Sequence, residues 1–367
     1  MNIGDSINLQ PVARVLQHHF PRSKVDYVYG QTTARLIEQN PFIENNYPIF
    51  QGAFVPSPEE CQRIRDILAS RSYAAVFSFC PFLPDRHLRS AGYPVVNPTS
   101  VILDIITKSR RRSVETAHLI PNIARYIDEL MGAFSDQTLS YPHQQNGPRT
   151  RLYFPEDVLA LRDSWLAENE LSADARPVFL NPDASNRYTL LDASVQIDLL
   201  GKILSSDLCT HLLLGPGFTF PSVEDKVINS LPTRLTQKIR RLPEDITIEL
   251  YGALLDRCRV FITGDTGPMH LAAARKICLQ NEDAFRNRTA VVGLFGPTQP
   301  RIYGYDSSRA GFIPANQDAP SRVFEARCGR KNLLCSLERI TQRCGGDECF
   351  REFDVEAVAQ FTLQCLS

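Results

Sequence analysis

The chain has 367 residues, 43% hydrophobic and 22% charged, which excludes extended disorder and collagen-like repeats. Forty Lys and Arg oppose 41 Asp and Glu, and a formal charge of −1 gives no bulk electrostatic drive toward nucleic acid or an anionic membrane. No apolar run reaches the roughly 18–20 residues of a membrane span, and Met1-Asn2-Ile3-Gly4-Asp5-Ser6 lacks signal-peptide organisation, so a two-domain cytoplasmic protein is expected.

Short apolar runs alternate with helical stretches, the rhythm of an α/β fold with parallel sheets. Leu9, Val12, Ala13 and Leu16 repeat at helical spacing from Asp5, and Phe20-Pro21 ends that segment. Val25 to Tyr29 predicts a strand, Thr32 to Gln39 a helix stopped by Asn40-Pro41, Pro56 to Ser70 a helix and Tyr73 to Phe79 a strand. Val101 to Phe134 reads as mainly helical, and its basic run Lys108 to Arg112 fits either a solvated helix face or a surface meeting an anionic acceptor. Residues 135–155 are polar and turn-rich, the expected interdomain linker. The rhythm then restarts. Helices are expected over Pro155–Asn169, Ser194–Ser205, Ser222–Leu231 and Ile246–Asp256, and from Pro268. Strands are expected over Val178–Asn181, His211–Gly215, Val260–Thr263 and Ala290–Phe295.

The segment Val260-Phe261-Ile262-Thr263-Gly264-Asp265-Thr266-Gly267-Pro268-Met269-His270 carries the most information. A wholly apolar strand runs into a polar glycine turn and then a small-residue helix. Asp265 or Thr266 can cap that helix, Gly267 permits close backbone approach, and Pro268 suits the first turn. Free N–H groups would then face outward with His270 beside them, an arrangement suited to phosphate. An ordinary capped strand–turn–helix fits the same residues. Leu212 to Gly217, with Glu224 opening the next helix, and Val291 to Pro300 end two further strands in glycine-bearing loops. Neither a G-x-G-x-x-G nor a G-x-x-x-x-G-K-[ST] pattern is present, which counts against dinucleotide oxidoreductases and P-loop enzymes.

Asp265 to Ala274 followed by Gly293-Leu294-Phe295-Gly296-Pro297-Thr298-Gln299-Pro300 resembles glycosyltransferase family 9, the lipopolysaccharide heptosyltransferases. Asn2 to Pro11 resembles that family's amino-terminal Gly-Asp motif, and Asn181-Pro182-Asp183-Ala184-Ser185 its donor-domain opening. Residues 50–150 are barely recognisable and are expected to define the acceptor. The resemblance implies a GT-B arrangement of two Rossmann-like domains with the catalytic cleft between them. The expected boundaries are 1–150 for acceptor binding, 151–345 for nucleotide-sugar binding, and a C-terminal helix in 346–367 packing back on the first domain. It implies inverting transfer of a sugar, typically heptose from ADP-heptose, to a lipopolysaccharide-core saccharide, with no required cofactor and with peripheral contact at the inner face of the inner membrane. A protein (autotransporter) acceptor and a catalytically silent nucleotide-sugar-binding protein are the alternatives.

By that resemblance Asp5 is the general base, although alone it would read as a helix N-cap. Thr266, Gly267 and His270 contact the diphosphate, Asp265 the donor sugar and Glu224 the ribose, while Pro268, Gly296 and Thr298 complete the donor site. Where the family commonly places a phosphate-binding Lys, this chain reads Asn186-Arg187-Tyr188, and Arg187 is the substitute. Lys276 to Thr289 is longer than usual and reads as a surface loop.

Of ten cysteines, Cys61, Cys80, Cys209, Cys258 and Cys278 read as small core residues. Cys328, Cys335, Cys344, Cys349 and Cys365 crowd the last 40 residues. The first four lack C-x2-C pairing; structural zinc or iron, disulfides and reduced thiols all remain open for them, ahead of a predicted helix over Phe350 to Phe361. Only Met1-Asn2-Ile3 precede Gly4-Asp5, fewer than the roughly five residues of a typical strand. The first domain is therefore expected to lack its first strand, through a true start some codons upstream or a crippled form.

Overall fold

The computed structural model describes residues 3–51, 55–79, 92, 94–96, 118–132, 150–172, 175, 177–184, 189–217, 221–278, 288–316, 318–326 and 353–367. The chain divides into two compact units, Met1–Arg151 and Leu152–Ser367.

In the first unit, α1 (Ile3–Asn8) and α2 (Gln10–His19) replace one expected helix, broken at Leu9 where Pro11 occupies the first turn of α2. Strand β1 (Asp26–Gly30) and helix α3 (Ala34–Glu38) follow, and then β2 (Asn45–Phe50), which sequence patterning did not predict. The β1–β2 pair is parallel, and its register shifts between Tyr29 and Gly30, next to Pro48, which has no N–H for the ladder. Helix α4 (Pro58–Ser70) begins with a full capping box between Ser57 and Glu60. A second parallel pair joins β3 (Val76–Phe77) to β4 (Val95–Val96), and α5 (Leu119–Gly132) is the last described helix of the unit. Leu9, Val12 and Val15 pack against Ile123, Ala124, Ile127 and Met131 of α5. At the end of that seam His19 Nε2 lies 2.6 Å from Asp128 Oδ1, both buried. The basic run Lys108 to Arg112 lies outside the described residues.

The second unit starts at Leu152, one residue into β5 (Arg151–Phe154), a strand inside the stretch expected to be linker because Leu152 and Phe154 are fully buried. After it come α6 (Glu156–Glu168), β6 (Val178–Leu180), α7 (Ala193–Leu204), β7 (Leu212–Leu214), α8 (Pro221–Asn229), α9 (Thr233–Thr236), β8 (Ile239–Arg241) and α10 (Ile248–Leu255). The remainder runs through β9 (Val260–Gly264), α11 (Gly267–Ala273), β10 (Arg275–Cys278), β11 (Ala290–Phe295), α12 (Pro300–Tyr303), β12 (Ser321–Glu325) and α13 (Val355–Leu366). Six strands form one parallel sheet in the order β12-β11-β9-β6-β7-β8, while β10 pairs with β5 separately.

Both faces of the central strands are covered, which is why they read as unbroken apolar runs. Val178, Leu180, Val260 and Ile262 face Leu199, Leu200 and Ile203 of α7, and Phe179 packs edge-on against Phe261 on the other side. The C-terminal helix was expected to pack on the first domain; it instead buries Val358, Ala359 and Cys365 in this second core. Cys365 is thus a core residue, as are Cys61, Cys209, Cys258 and Cys278. The surface-loop expectation for Lys276 to Thr289 is corrected at its two ends, residues 279–287 lying outside the described residues. Lys276, Ile277 and Cys278 are buried in β10, and Lys276 Nζ reaches Asp256 Oδ1 at 2.8 Å with its side chain fully enclosed. Thr289 is fully buried as well, donating to the Leu255 and Cys258 carbonyls.

Candidate active site

Read from β8 to β12, the sheet winds outward in both directions from the β6–β9 boundary. In parallel sheets the crevice beyond the carboxyl ends at such a reversal is where ligands sit. Asn181 follows β6 there, and Gly264-Asp265-Thr266 follows β9. The Asn181 side chain bridges the two strand ends: Nδ2 donates to the Asp183 carbonyl at 2.9 Å and to Thr263 Oγ1 at 3.1 Å, 82 residues away. Oδ1 accepts from the buried Tyr251 hydroxyl of α10 at 3.2 Å.

Of the two capping candidates, Thr266 occupies the N-cap of α11, but its side chain makes no capping hydrogen bond. Its hydroxyl turns back to Thr263 Oγ1 at 2.9 Å and to Asn181 Nδ2 at 3.4 Å. Gly267 and Pro268 occupy the first turn as expected.

His270 is buried in α11, and its Nδ1 lies 2.9 Å from the Tyr305 hydroxyl, with the rings edge to face. Burial pushes its pKa down to about 4, so the imidazole is neutral at pH 7 and offers one N–H rather than a positive charge. The Tyr305 hydroxyl is pushed well above the usual phenol range by burial and by the nearby Asp265 carboxylate.

On β7's side of the reversal, Glu224 is buried in the first turn of α8. It accepts from the Gly217 N–H at 3.2 Å and pairs with Arg241 Nε, at the end of β8, at 2.7 Å. Arg241 is half exposed and also reaches Asp225 Oδ1 at 3.1 Å. Gly296 and Thr298 follow β11 on the same rim, and Thr298 Oγ1 is buried without a hydrogen-bond partner among the described residues.

Residues 220–332 match the model of glycosyltransferase family 9 (heptosyltransferase). The matched segment spans 113 of the 367 residues and includes the turn after β9. No curated protein sequence matches the chain. Among solved structures, a family 9 glycosyltransferase from Veillonella parvula superposes with a TM-score of 0.68 at 16% identity, covering 100% of this chain and 95% of that one. E. coli ADP-heptose lps heptosyltransferase II gives 0.59 at 16% identity, covering 93% and 96%. E. coli heptosyltransferase WaaC, solved with ADP, gives 0.57 at 17%, covering 100% and 97%. These likenesses establish the α/β GT-B type fold.

The matched segment contains Glu224, Asp265 to His270, Gly296 and Thr298. Asp5 and Arg187 fall outside it. Asp5 lies in the first turn of α1, inside the helix rather than at its cap. Arg187 lies outside the described residues, as do Cys328, Cys335, Cys344 and Cys349. No group of three or more His, Cys, Asp or Glu able to hold a metal occurs among the described residues. No described helix is long and apolar enough to cross a membrane. Sequence reasoning missed Tyr251, Thr263, Tyr305 and Arg241. Their partners across the fold lie 16 to 82 residues away, so spacing carried no signal.

Proposed function

We propose that this glycosyltransferase moves heptose from ADP-heptose to a lipopolysaccharide-core saccharide with inversion at the anomeric carbon. The observation carrying this reading is the clustering of anion-suited donors at the β6–β9 reversal, within the segment that matches the family model. In this reading the Thr266 hydroxyl, the Gly267 N–H and neutral His270 serve as non-ionised donors to a diphosphate that gains charge as it leaves.

In this reading the acceptor hydroxyl attacks the anomeric carbon opposite the leaving group. Asp5 takes its proton while the bond from carbon to the diphosphate oxygen breaks, and the electron pair leaves with ADP. Glu224 accepts from the ribose hydroxyls, Asp265 orients the heptose, and Arg187 pairs with phosphate oxygens. The solved relatives supply the precedent for the nucleotide: WaaC was solved with ADP and with ADP-2-deoxy-2-fluoro heptose. An acceptor carried on lipid would place the enzyme at the inner face of the inner membrane through peripheral contact.

Calorimetric titration with ADP, UDP and GDP tests the donor. ADP should bind at least tenfold tighter than either competitor; preference for UDP would overturn the heptose donor while leaving the transferase class intact. Mass spectrometry after incubation with ADP-heptose should show the added heptose on a truncated core lipopolysaccharide. Addition to an autotransporter protein instead would replace the acceptor, and binding without any transfer would leave a silent binding protein.

A further inference from the structure

We propose that Tyr251, Asn181 and Thr263 form a one-way hydrogen-bond chain that fixes the Thr266 hydroxyl as an outward donor to the diphosphate. The proposal rests on the donor reading above and assigns three positioning residues behind it.

The direction follows from counting donors and acceptors. The Asp183 carbonyl can only accept, so the Asn181 group facing it at 2.9 Å is the NH2. The opposite side of the amide is then the carbonyl oxygen, and the Tyr251 hydroxyl 3.2 Å away must donate to it. The second amide N–H points to Thr263 Oγ1 at 3.1 Å, making that oxygen an acceptor. Thr263 is fully buried, and among the described residues its hydroxyl proton has one acceptor within reach, Thr266 Oγ1 at 2.9 Å. Thr266 Oγ1 therefore receives from behind, from Thr263 and more weakly from Asn181 at 3.4 Å. Its own proton is left for the half-exposed side.

Reversing one link would leave a buried hydroxyl proton or an amide N–H without an acceptor, which is costly in a site this enclosed. A hydroxyl locked as donor suits an acceptor-only group such as a phosphate oxygen and disfavours a ligand that must donate. Position supports the same ligand class, since the chain ends where the sheet winding reverses. Thr298 Oγ1, on the same rim, is a buried hydroxyl oxygen still lacking a partner among the described residues.

The test measures dissociation constants of the full chain for ADP, inorganic pyrophosphate and adenosine, with thermal midpoints as a fold control. Thr263→Val keeps the side-chain shape and removes the relay. It should weaken ADP and pyrophosphate about tenfold or more, the value of a hydrogen bond to a charged group, and leave adenosine within about twofold. Thr263→Ser should restore binding to within about threefold. Asn181→Asp places an acceptor-only carboxylate where the amide donated, draws the Thr263 proton backward, and should weaken pyrophosphate more than Thr263→Val does. Should valine strain the strand, Thr263→Ala removes the same hydroxyl. Unchanged pyrophosphate affinity in Thr263→Val, or a parallel loss for adenosine, overturns the chain. A wild type that binds pyrophosphate but not ADP overturns the ADP reading, and the pyrophosphate series then decides the relay by itself. A wild type that binds neither overturns both.

Discussion

The Tyr305 hydroxyl sits 2.9 Å from His270 Nδ1 inside the second unit, on a loop 35 residues downstream of the helix that carries the histidine. With Nδ1 occupied, Nε2 is the nitrogen that remains for a ligand, and a donating Tyr305 keeps the proton on it. Tyr305→Phe should leave the fold intact and shift the imidazole tautomer. ADP should bind about 3–10-fold more weakly, as for one lost hydrogen bond. Imidazole 15N chemical shifts read the tautomer directly; an unchanged shift pattern would remove Tyr305 from the site.

The same histidine makes stability depend on pH. Burial lowers its pKa from 6.5 to about 4, so between those values the unfolded chain binds more protons than the folded one. Stability contributed here is fully present above pH 6.5 and is lost as pH falls toward 4, about 3 kcal/mol across the window. Urea titrations at pH 7 and pH 4.5 should show this loss shrinking in His270→Asn, which cannot take up the proton. An identical slope in wild type and variant would contradict it.

Lys276 and Asp256 form an ion pair with side chains essentially closed to solvent. Burial raises the Asp256 carboxyl pKa, and Lys276 opposes that shift. Lys276→Met would strand a buried carboxylate and should cost about 3–5 kcal/mol, whereas adding Asp256→Leu should recover much of it. Chemical denaturation of the single and double variants decides between a paired core and independent sites.

Asp5→Asn separates chemistry from binding. If Asp5 is the base, kcat should fall about 10²–10⁴-fold while ADP affinity stays within about twofold. Retained kcat would move the base elsewhere.

Glu224 and Arg241 define a further expectation. Glu224→Gln keeps the shape, loses the charge that holds Arg241, and should weaken ADP about tenfold while leaving pyrophosphate unaffected. Equal losses for both ligands would argue for a structural role.

The turn from β9 into α11 was legible because a fully buried parallel strand must be apolar throughout and the turn after it needs glycine. The strands that escaped notice had no such mark. β8 reads Ile239-Arg240-Arg241 and lies at the sheet edge, so its arginines face solvent or a partner rather than core. β2 contains Pro48 and two asparagines and is mostly half-buried. In β10 a lysine sits inside because its counter-charge arrives from Asp256, 20 residues earlier, and composition read that stretch as surface. The candidate site divided the same way. Thr266, Gly267 and His270 stood in one motif, whereas Tyr251, Asn181 and Tyr305 meet it only through the winding of the sheet.

That winding also sets an order of events during synthesis. β6 lies in the middle of the sheet, between β7, which follows it closely in the chain, and β9, which begins at Val260. A nascent chain that has exposed β6 and β7 but not β9 still carries an open apolar edge, and Asn181 has no Thr263 to meet. Such long-range parallel pairing folds slowly and exposes sticky surface while it waits. The candidate site at the β6–β9 reversal is therefore assembled only after β9 and the turn that follows it have emerged, and chaperone capture is most needed in that interval.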